Sequence, residues 1–95
     1  IVYGIMADKD ISAIRPLMPQ NARYYLAAPA IARALPVDRL ADFMAGLDIA
    51  HHNSVKEAVE HAISDASGVK DALVYIGGSN YLVSECILEF ERHKN

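Results

Sequence analysis

The fold of this chain is decided by Ile1-Val2-Tyr3-Gly4-Ile5-Met6, a short and continuously apolar run that is rich in β-formers. Such a run is typical of a strand that is covered on both faces of a parallel sheet. Three further runs predict strands at residues 23–28, 47–52 and 72–76, and each is followed by a stretch with helical spacing. Strands that alternate with helices in this way predict an α/β fold with the element order βαβαβαβα and a mostly parallel sheet.

The polarity of the four runs predicts the order of the strands in the sheet. The first and fourth runs are the most apolar and are expected to be central, whereas the third, Leu47-Asp48-Ile49-Ala50-His51-His52, is expected at an edge. The order 3-2-1-4 follows, and it corresponds to half of a three-layer, Rossmann-like sheet. In that order the carboxyl ends of strands 1 and 4 flank the crevice where open α/β sheets bind ligands.

Prolines, glycines and polar caps predict where the helices begin and end. Pro16 lies inside the first helical pattern, and an interior proline costs about 3 kcal/mol, so this helix is expected to be short or kinked near Arg15. Gly46 is expected to end the second helix in a left-handed conformation. Ser54 and Glu57 have the spacing of a capping box at the start of the third helix.

The composition indicates one small domain that spans residues 1–95. A hydrophobic fraction of 53% and a net charge of -3 exclude a disordered tail. The 9 basic residues against 12 acidic ones argue against nucleic acid as a partner. No apolar run approaches the roughly 20 residues of a membrane span, so no membrane partner is expected. The single cysteine favours a reducing cytoplasmic location.

Two loops meet at the predicted crevice, Ala7-Asp8-Lys9-Asp10 and Gly77-Gly78-Ser79-Asn80-Tyr81. Lys9 can hold a carboxylate or phosphate, and Asp8 can accept a hydrogen bond from an amine. Gly77 and Gly78 let the backbone approach a ligand closely, and amides at a helix N-terminus favour an anion. Ser79 adds a hydroxyl group and Tyr81 a phenol. The alternative is a pair of ordinary turns in which Asp10 and Ser79 only cap helices.

The remaining candidate residues give weaker indications. Arg33 follows the second strand. There its side chain can bind an anion, such as a nucleotide phosphate, in bidentate fashion, or form a surface salt bridge. His51 and His52 are neighbours on a strand, so their side chains point to opposite faces and do not suit one metal ion. Ser79 is not in a G-x-S-x-G motif, and Cys86 has the apolar neighbours of a core residue. No metal site and no catalytic residue is therefore predicted in this chain.

Five segments resemble, in order, the carboxy-terminal domain of folylpolyglutamate synthase/dihydrofolate synthase, a family of the Mur ligase superfamily. They are Tyr3-Gly4-Ile5-Met6-Ala7-Asp8-Lys9-Asp10-Ile11, Tyr24-Tyr25-Leu26, Arg33-Ala34-Leu35-Pro36, Ser54-Val55-Lys56-Glu57-Ala58 and Val74-Tyr75-Ile76-Gly77-Gly78-Ser79-Asn80-Tyr81-Leu82-Val83. Each motif is modest by itself, but their order and spacing agree with the family along nearly the whole chain.

The resemblance implies a function in folate metabolism. Members of the family use ATP to convert a folate or dihydropteroate carboxylate into an acyl phosphate, which the amino group of glutamate attacks. Residues 1–95 would be the domain that presents glutamate to an amino-terminal ATPase domain of the same polypeptide. By motif position, Ser79 and Tyr81 match residues around the glutamate, and Lys9 with Asp8 matches the turn that faces the cleft.

The same resemblance implies that part of the active site lies outside this chain. The P-loop, the sites for ATP and Mg²⁺ and an Asp-Gly-Ala-His-Asn-Pro segment are not in the sequence, and the last is expected just upstream of Ile1. These residues alone are therefore expected to be inactive and to bind no cofactor. Two alternatives remain, a stand-alone α/β module that binds a small ligand or nucleotide, and a purely structural interaction domain.

Overall fold

Four strands and four α-helices alternate along the chain in a computed structural model that describes residues 1–31, 33–69, 72–78 and 80–93. The elements are β1 Val2–Gly4, α1 Ile11–Ile14, β2 Arg23–Leu26, α2 Val37–Phe43, β3 Asp48–His51, α3 Val55–Ser67, β4 Ile76–Gly78 and α4 Asn80–His93. All strands pair in parallel, in the order β3-β2-β1-β4. The predicted fold class and strand order are confirmed.

The sheet separates two hydrophobic cores, and strand alternation decides which core each side chain enters. Tyr3 of β1 and Tyr24 of β2 point into the core under α1 and α2, whereas Val2 and Tyr25 point into the core under α3 and α4. Further members of the first core are Ile5, Leu26, Leu40 and Met44, and of the second Val59, Leu82 and Cys86. Full burial of such a side chain stabilises the fold by about 1.5–3 kcal/mol.

The helix boundaries follow the local signals closely. Helix α1 is four residues long and continues as a 3₁₀ helix at Arg15–Leu17 that contains Pro16, so the predicted interruption near Arg15 is confirmed. The amide of Glu57 donates to the hydroxyl of Ser54 at 3.1 Å and caps α3 as predicted. Helix α2 ends at Phe43, earlier than predicted, and the left-handed Gly46 (φ 94°) turns the chain into β3.

The fourth strand differs from its prediction in extent and place. It comprises Ile76–Gly78, not residues 72–76, because its register is set by pairing with the three residues of β1. Leu73 is 85% exposed and Tyr75 is 60% exposed, so the apolar run before β4 is not a buried strand. In the described sheet β4 is an edge strand that pairs with β1. Of the two strands predicted to be central, only β1 is central.

Candidate functional site

The carboxyl ends of β1 and β4 lie side by side, with Tyr3 opposite Gly77 and Gly4 opposite Gly78. Two of these glycines are required by sterics. A Cβ atom on Gly4 would overlap the carbonyl oxygen of Ala27, and one on Gly78 (φ +109°) would overlap the carbonyl oxygen of Gly4. Gly77 and Gly78 were predicted in a loop after the strand, but both belong to β4, where Gly78 allows close contact with β1.

The turn that follows β1 is anchored at its first residues. The amide of Lys9 donates to the carbonyl of Met6 at 3.2 Å, and the amide of Ala7 donates to the carbonyl of Arg33 at 2.8 Å. Met6 and Ala34 also form an antiparallel bridge. The segment after β2 thus acts as an additional short partner for the extension of β1, and it supports the turn that carries Lys9.

The carboxylates on either side of Lys9 do not line the cleft described below. Asp10 occupies the N-cap position of α1, but its side chain makes no capping hydrogen bond and instead accepts one from the hydroxyl of Ser12 at 2.5 Å. That hydroxyl is the main reason why the pKa of the Asp10 carboxyl is lowered. Asp8 is exposed in the same turn.

A cleft of about 510 Å³ runs along the sheet at the β1–β4 junction, on the face that carries α1. This volume lies within the usual range for small-molecule sites. Three tyrosines, Tyr3, Tyr24 and Tyr75, line it together with aliphatic side chains. Among the described residues that line the cleft, Lys9 is the only one with a charged side chain. The arrangement can hold an anion at Lys9 and apolar groups deeper inside.

The three tyrosines differ in how firmly they are held. The hydroxyl of Tyr24 donates to the carbonyl of Pro19 at 2.6 Å, which fixes its buried ring. Burial raises the pKa of both Tyr3 and Tyr24, so both are neutral phenols at physiological pH. The ring of Tyr75 lies against Gly77, where a Cβ atom would be only 3.0 Å from its Cε1.

The predicted site residues are only partly brought together. Lys9, Gly77 and Gly78 all line the cleft, whereas Asp8 and Arg33 do not. The side chain of Arg33 is exposed, although its backbone supports the turn. Ser79 lies outside the described residues, and so does the side chain of Tyr81, whose backbone belongs to the first turn of α4.

A second polar cluster, which the sequence did not predict, lies on the opposite face beneath α3. His52 is 5% exposed, and its Nε2 atom lies 2.8 Å from Nδ1 of His61. Its Nδ1 atom is buried without a hydrogen-bond partner among the described residues. Burial lowers the pKa of His52, and the nearby His61 lowers it further. His51 is exposed, so the prediction that His51 and His52 face opposite sides is confirmed.

Tyr25 links this cluster to the end of α3. Its hydroxyl donates to Oδ2 of Asp65 at 2.7 Å, and its ring lies 5.8 Å from the ring of His52 and 6.1 Å from that of His61. Burial, followed by the bond to Asp65, raises the pKa of Tyr25 to about 12. One feature of the sequence could have indicated this contact. His61 lies three residues, about one helical turn, after Ala58, which is buried on α3 where that helix packs against β2.

The described residues form neither a metal-binding cluster nor a membrane-spanning helix. No three His, Cys, Asp or Glu side chains in that part of the chain converge as a metal site would require. None of its helices has the length and apolar character needed to cross a bilayer. Cys86 is buried in the core under α3 and α4, as predicted from its apolar neighbours.

Comparison of the chain with protein-family models, with curated proteins and with solved structures finds no match. The resemblance to folate ligases therefore depends on the quoted motifs, and the function that it implies is a proposal.

Proposed function

We propose that this chain is the carboxy-terminal, glutamate-presenting domain of an ATP-dependent folate:glutamate amide ligase of the folylpolyglutamate synthase/dihydrofolate synthase type, located in the cytoplasm. One observation carries the proposal. Lys9, from the Ala-Asp-Lys-Asp turn, and Gly77 and Gly78, from the Gly-Gly-Ser segment, line the same cleft although they are far apart in sequence. Both segments are motifs on which the resemblance rests.

The reaction has two steps, and this domain would act in the second. The terminal phosphoryl group of ATP passes to the carboxylate of the folate or dihydropteroate, which gives an acyl phosphate and ADP. The amino group of glutamate then attacks the acyl carbon, phosphate leaves, a proton is released and an amide forms. ATP and Mg²⁺ would be bound mainly by the amino-terminal ATPase domain of the same polypeptide.

In this proposal the domain positions glutamate by charge and hydrogen bonding. The Lys9 ammonium group pairs with a glutamate carboxylate, which orients the amine towards the acyl phosphate. Ser79 and Tyr81 supply a hydroxyl and a phenol for the same substrate, and Asp8 is an acceptor for its amine. Arg33 is assigned to the nucleotide side. Effective positioning of this kind lowers the barrier without a catalytic residue in the chain.

The test uses the protein encoded by the complete gene and measures ATP-dependent addition of glutamate to dihydropteroate or tetrahydrofolate. Replacement Lys9→Gln is expected to raise the KM for glutamate about fivefold, since an exposed ion pair contributes about 1 kcal/mol, while the KM for ATP stays unchanged. Lys56→Gln is the matched control, because Lys56 lies on α3 beside Glu60, at 3.9 Å, away from the cleft.

Two further variants test the other assignments in the same assay. Ser79→Ala and Tyr81→Phe are expected to raise the KM for glutamate and to leave the protein folded. Normal glutamate kinetics in both would remove Ser79 and Tyr81 from the site. The proposal as a whole fails if the complete protein shows no glutamate-dependent ATP hydrolysis, or if the 95 residues alone catalyse the ligation.

A stand-alone ligand-binding module is the second candidate, and the aromatic lining of the cleft favours it. An apolar cleft with one cation can bury a ligand without any reaction. This candidate predicts that the 95-residue chain binds a small ligand or nucleotide by itself, and that the complete protein has no ligase activity. Titration calorimetry with glutamate, ATP and AMP, alongside the ligation assay, separates the two.

A further inference from the structure

We propose that the β1–β4 cleft binds a planar aromatic ligand that carries one anionic group. The inference concerns the cleft itself, and it does not depend on the proposed ligase function. Beyond Lys9, the described residues that line the cleft are mostly apolar or aromatic. A polar group buried there without a hydrogen-bond partner would be costly, so the part of the cleft beyond Lys9 suits an apolar ring.

The aromatic part of the argument rests on how the tyrosines are arranged. Tyr3 and Tyr24 are buried and contribute ring surface from the sheet, and Tyr24 is immobilised by its bond to Pro19. Tyr75 is 60% exposed, and its ring adjoins Gly77 together with that of Tyr3: a Cβ atom on Gly77 would lie 3.0 Å from Cε1 of Tyr75 and 3.9 Å from Cδ1 of Tyr3. A flat ring placed in the cleft would cover exposed surface of Tyr75 and contact the tyrosine rings edge to face or offset, which are the favoured aromatic geometries.

The anionic part of the argument rests on Lys9. Among the described residues that line the cleft it is the only one with a charged side chain, in a chain whose net charge is -3, so this side chain does not belong to a general basic surface. The nearby carboxylate of Asp10 is already engaged by Ser12 at 2.5 Å, and neither Asp10 nor Asp8 lines the cleft. Lys9 therefore remains available for a ligand anion.

The experiment is a titration of the ¹⁵N-labelled chain with 2-naphthoate, followed by amide chemical shifts. We expect saturable shifts at Gly77, Gly78 and Lys9. Two matched ligands separate the two parts of the proposal: 2-naphthamide lacks the charge, and decalin-2-carboxylate lacks the planar ring. Each is expected to bind about fivefold more weakly than 2-naphthoate, the change that corresponds to one exposed ion pair or one lost aromatic contact.

Two variants test the residues. Lys9→Gln is expected to abolish the preference for 2-naphthoate over 2-naphthamide. Tyr75→Ala is expected to abolish the preference for 2-naphthoate over decalin-2-carboxylate. Tyr75 is mostly exposed, so its removal leaves the core intact, and Lys56→Gln serves as the charge control. Shifts that cluster away from β4, equal affinities for all three ligands, or no binding at millimolar concentration would each overturn the proposal. Because no ATP is involved, these outcomes are independent of the ligation assay.

Discussion

Replacement of Gly4 by alanine is expected to destabilise the fold severely, because the added methyl group has no space. A Cβ atom at this position would overlap the carbonyl oxygen of Ala27 and lie 3.1 Å from Cδ1 of Leu82. The Leu82 side chain can move, but the Ala27 oxygen is backbone. The variant must therefore separate β1 from the chain that continues β2.

The magnitude follows from two contributions. Forcing a methyl group into a packed interior costs about 1–3 kcal/mol. Separation of the strands also weakens the hydrogen bonds from the amide of Tyr25 to the carbonyl of Ile1, 2.8 Å, and from the amide of Ala27 to the carbonyl of Tyr3, 3.1 Å. Each such bond contributes about 1 kcal/mol, so we expect a total loss of about 3–5 kcal/mol. A domain of this size has roughly 5–10 kcal/mol of stability altogether.

Urea unfolding followed by circular dichroism measures this loss, and Gly68→Ala is the matched control. Gly68 has φ -95° at the end of α3, and no atom of the described residues lies within 4 Å of a Cβ placed there. Alanine at this position is expected to be neutral or to stabilise by about 0.4–1 kcal/mol, because it restricts the unfolded chain. The steric reasoning would be refuted if Gly4→Ala changed the free energy of unfolding by less than about 1 kcal/mol, or if both variants lost the same amount.

Two smaller perturbations test the α3 side of the molecule. Ser54→Ala removes the N-cap of α3 and should lower the free energy of unfolding by about 1 kcal/mol in urea, whereas Ser64→Ala, on an exposed position of the same helix, should not lower it. His52→Gln tests pH dependence. Since the pKa of His52 is lowered in the fold, the unfolded chain takes up the proton first as the pH falls below about 6.5, and stability is lost in that range. The urea midpoint of unfolding should fall less between pH 7.5 and pH 5 in His52→Gln than in the parent or in the exposed control His51→Gln. An equal fall of the midpoint in all three proteins would contradict this.

The sheet could be predicted from sequence because its strands differ in burial. All three residues of β1 are buried, whereas β3 has none fully buried, and this contrast is visible in the polarity of the runs. Pro16 and Ser54 act locally, so their effects on α1 and α3 were also predictable. The bounds of β4 could not be predicted in this way, because they depend on pairing with β1, which is distant in the sequence. The apolar character of residues 72–75 indicated a strand there, whereas the residues paired with β1 begin at Ile76, and of the preceding segment the carbonyl of Tyr75 accepts a hydrogen bond from the amide of Val2 at 2.8 Å.

The site could be predicted at the level of its location but not of its lining. The strand order brings the turn of Lys9 to the end of β4, which the switch-point rule anticipates. Whether Asp8 or Arg33 points into the cleft depends on side-chain directions in loops, which have no periodicity. The contact between His52 and His61 joins the residue after β3 to the middle of α3, and it depends on how the connecting turn packs α3 against the sheet.

The anchored turn after β1 has a thermodynamic consequence for whatever binds at Lys9. Because the amides of Ala7 and Leu35 donate to the carbonyls of Arg33 and Ile5 at 2.8 and 2.9 Å, the backbone on both sides is already ordered before a ligand arrives. Only the lysine side chain then has to lose rotamer freedom, at most about 2 kcal/mol, and no loop closure adds to that cost. Amide exchange at Ala7 and Leu35 should accordingly be slow with or without ligand, as expected of a preorganised receptor.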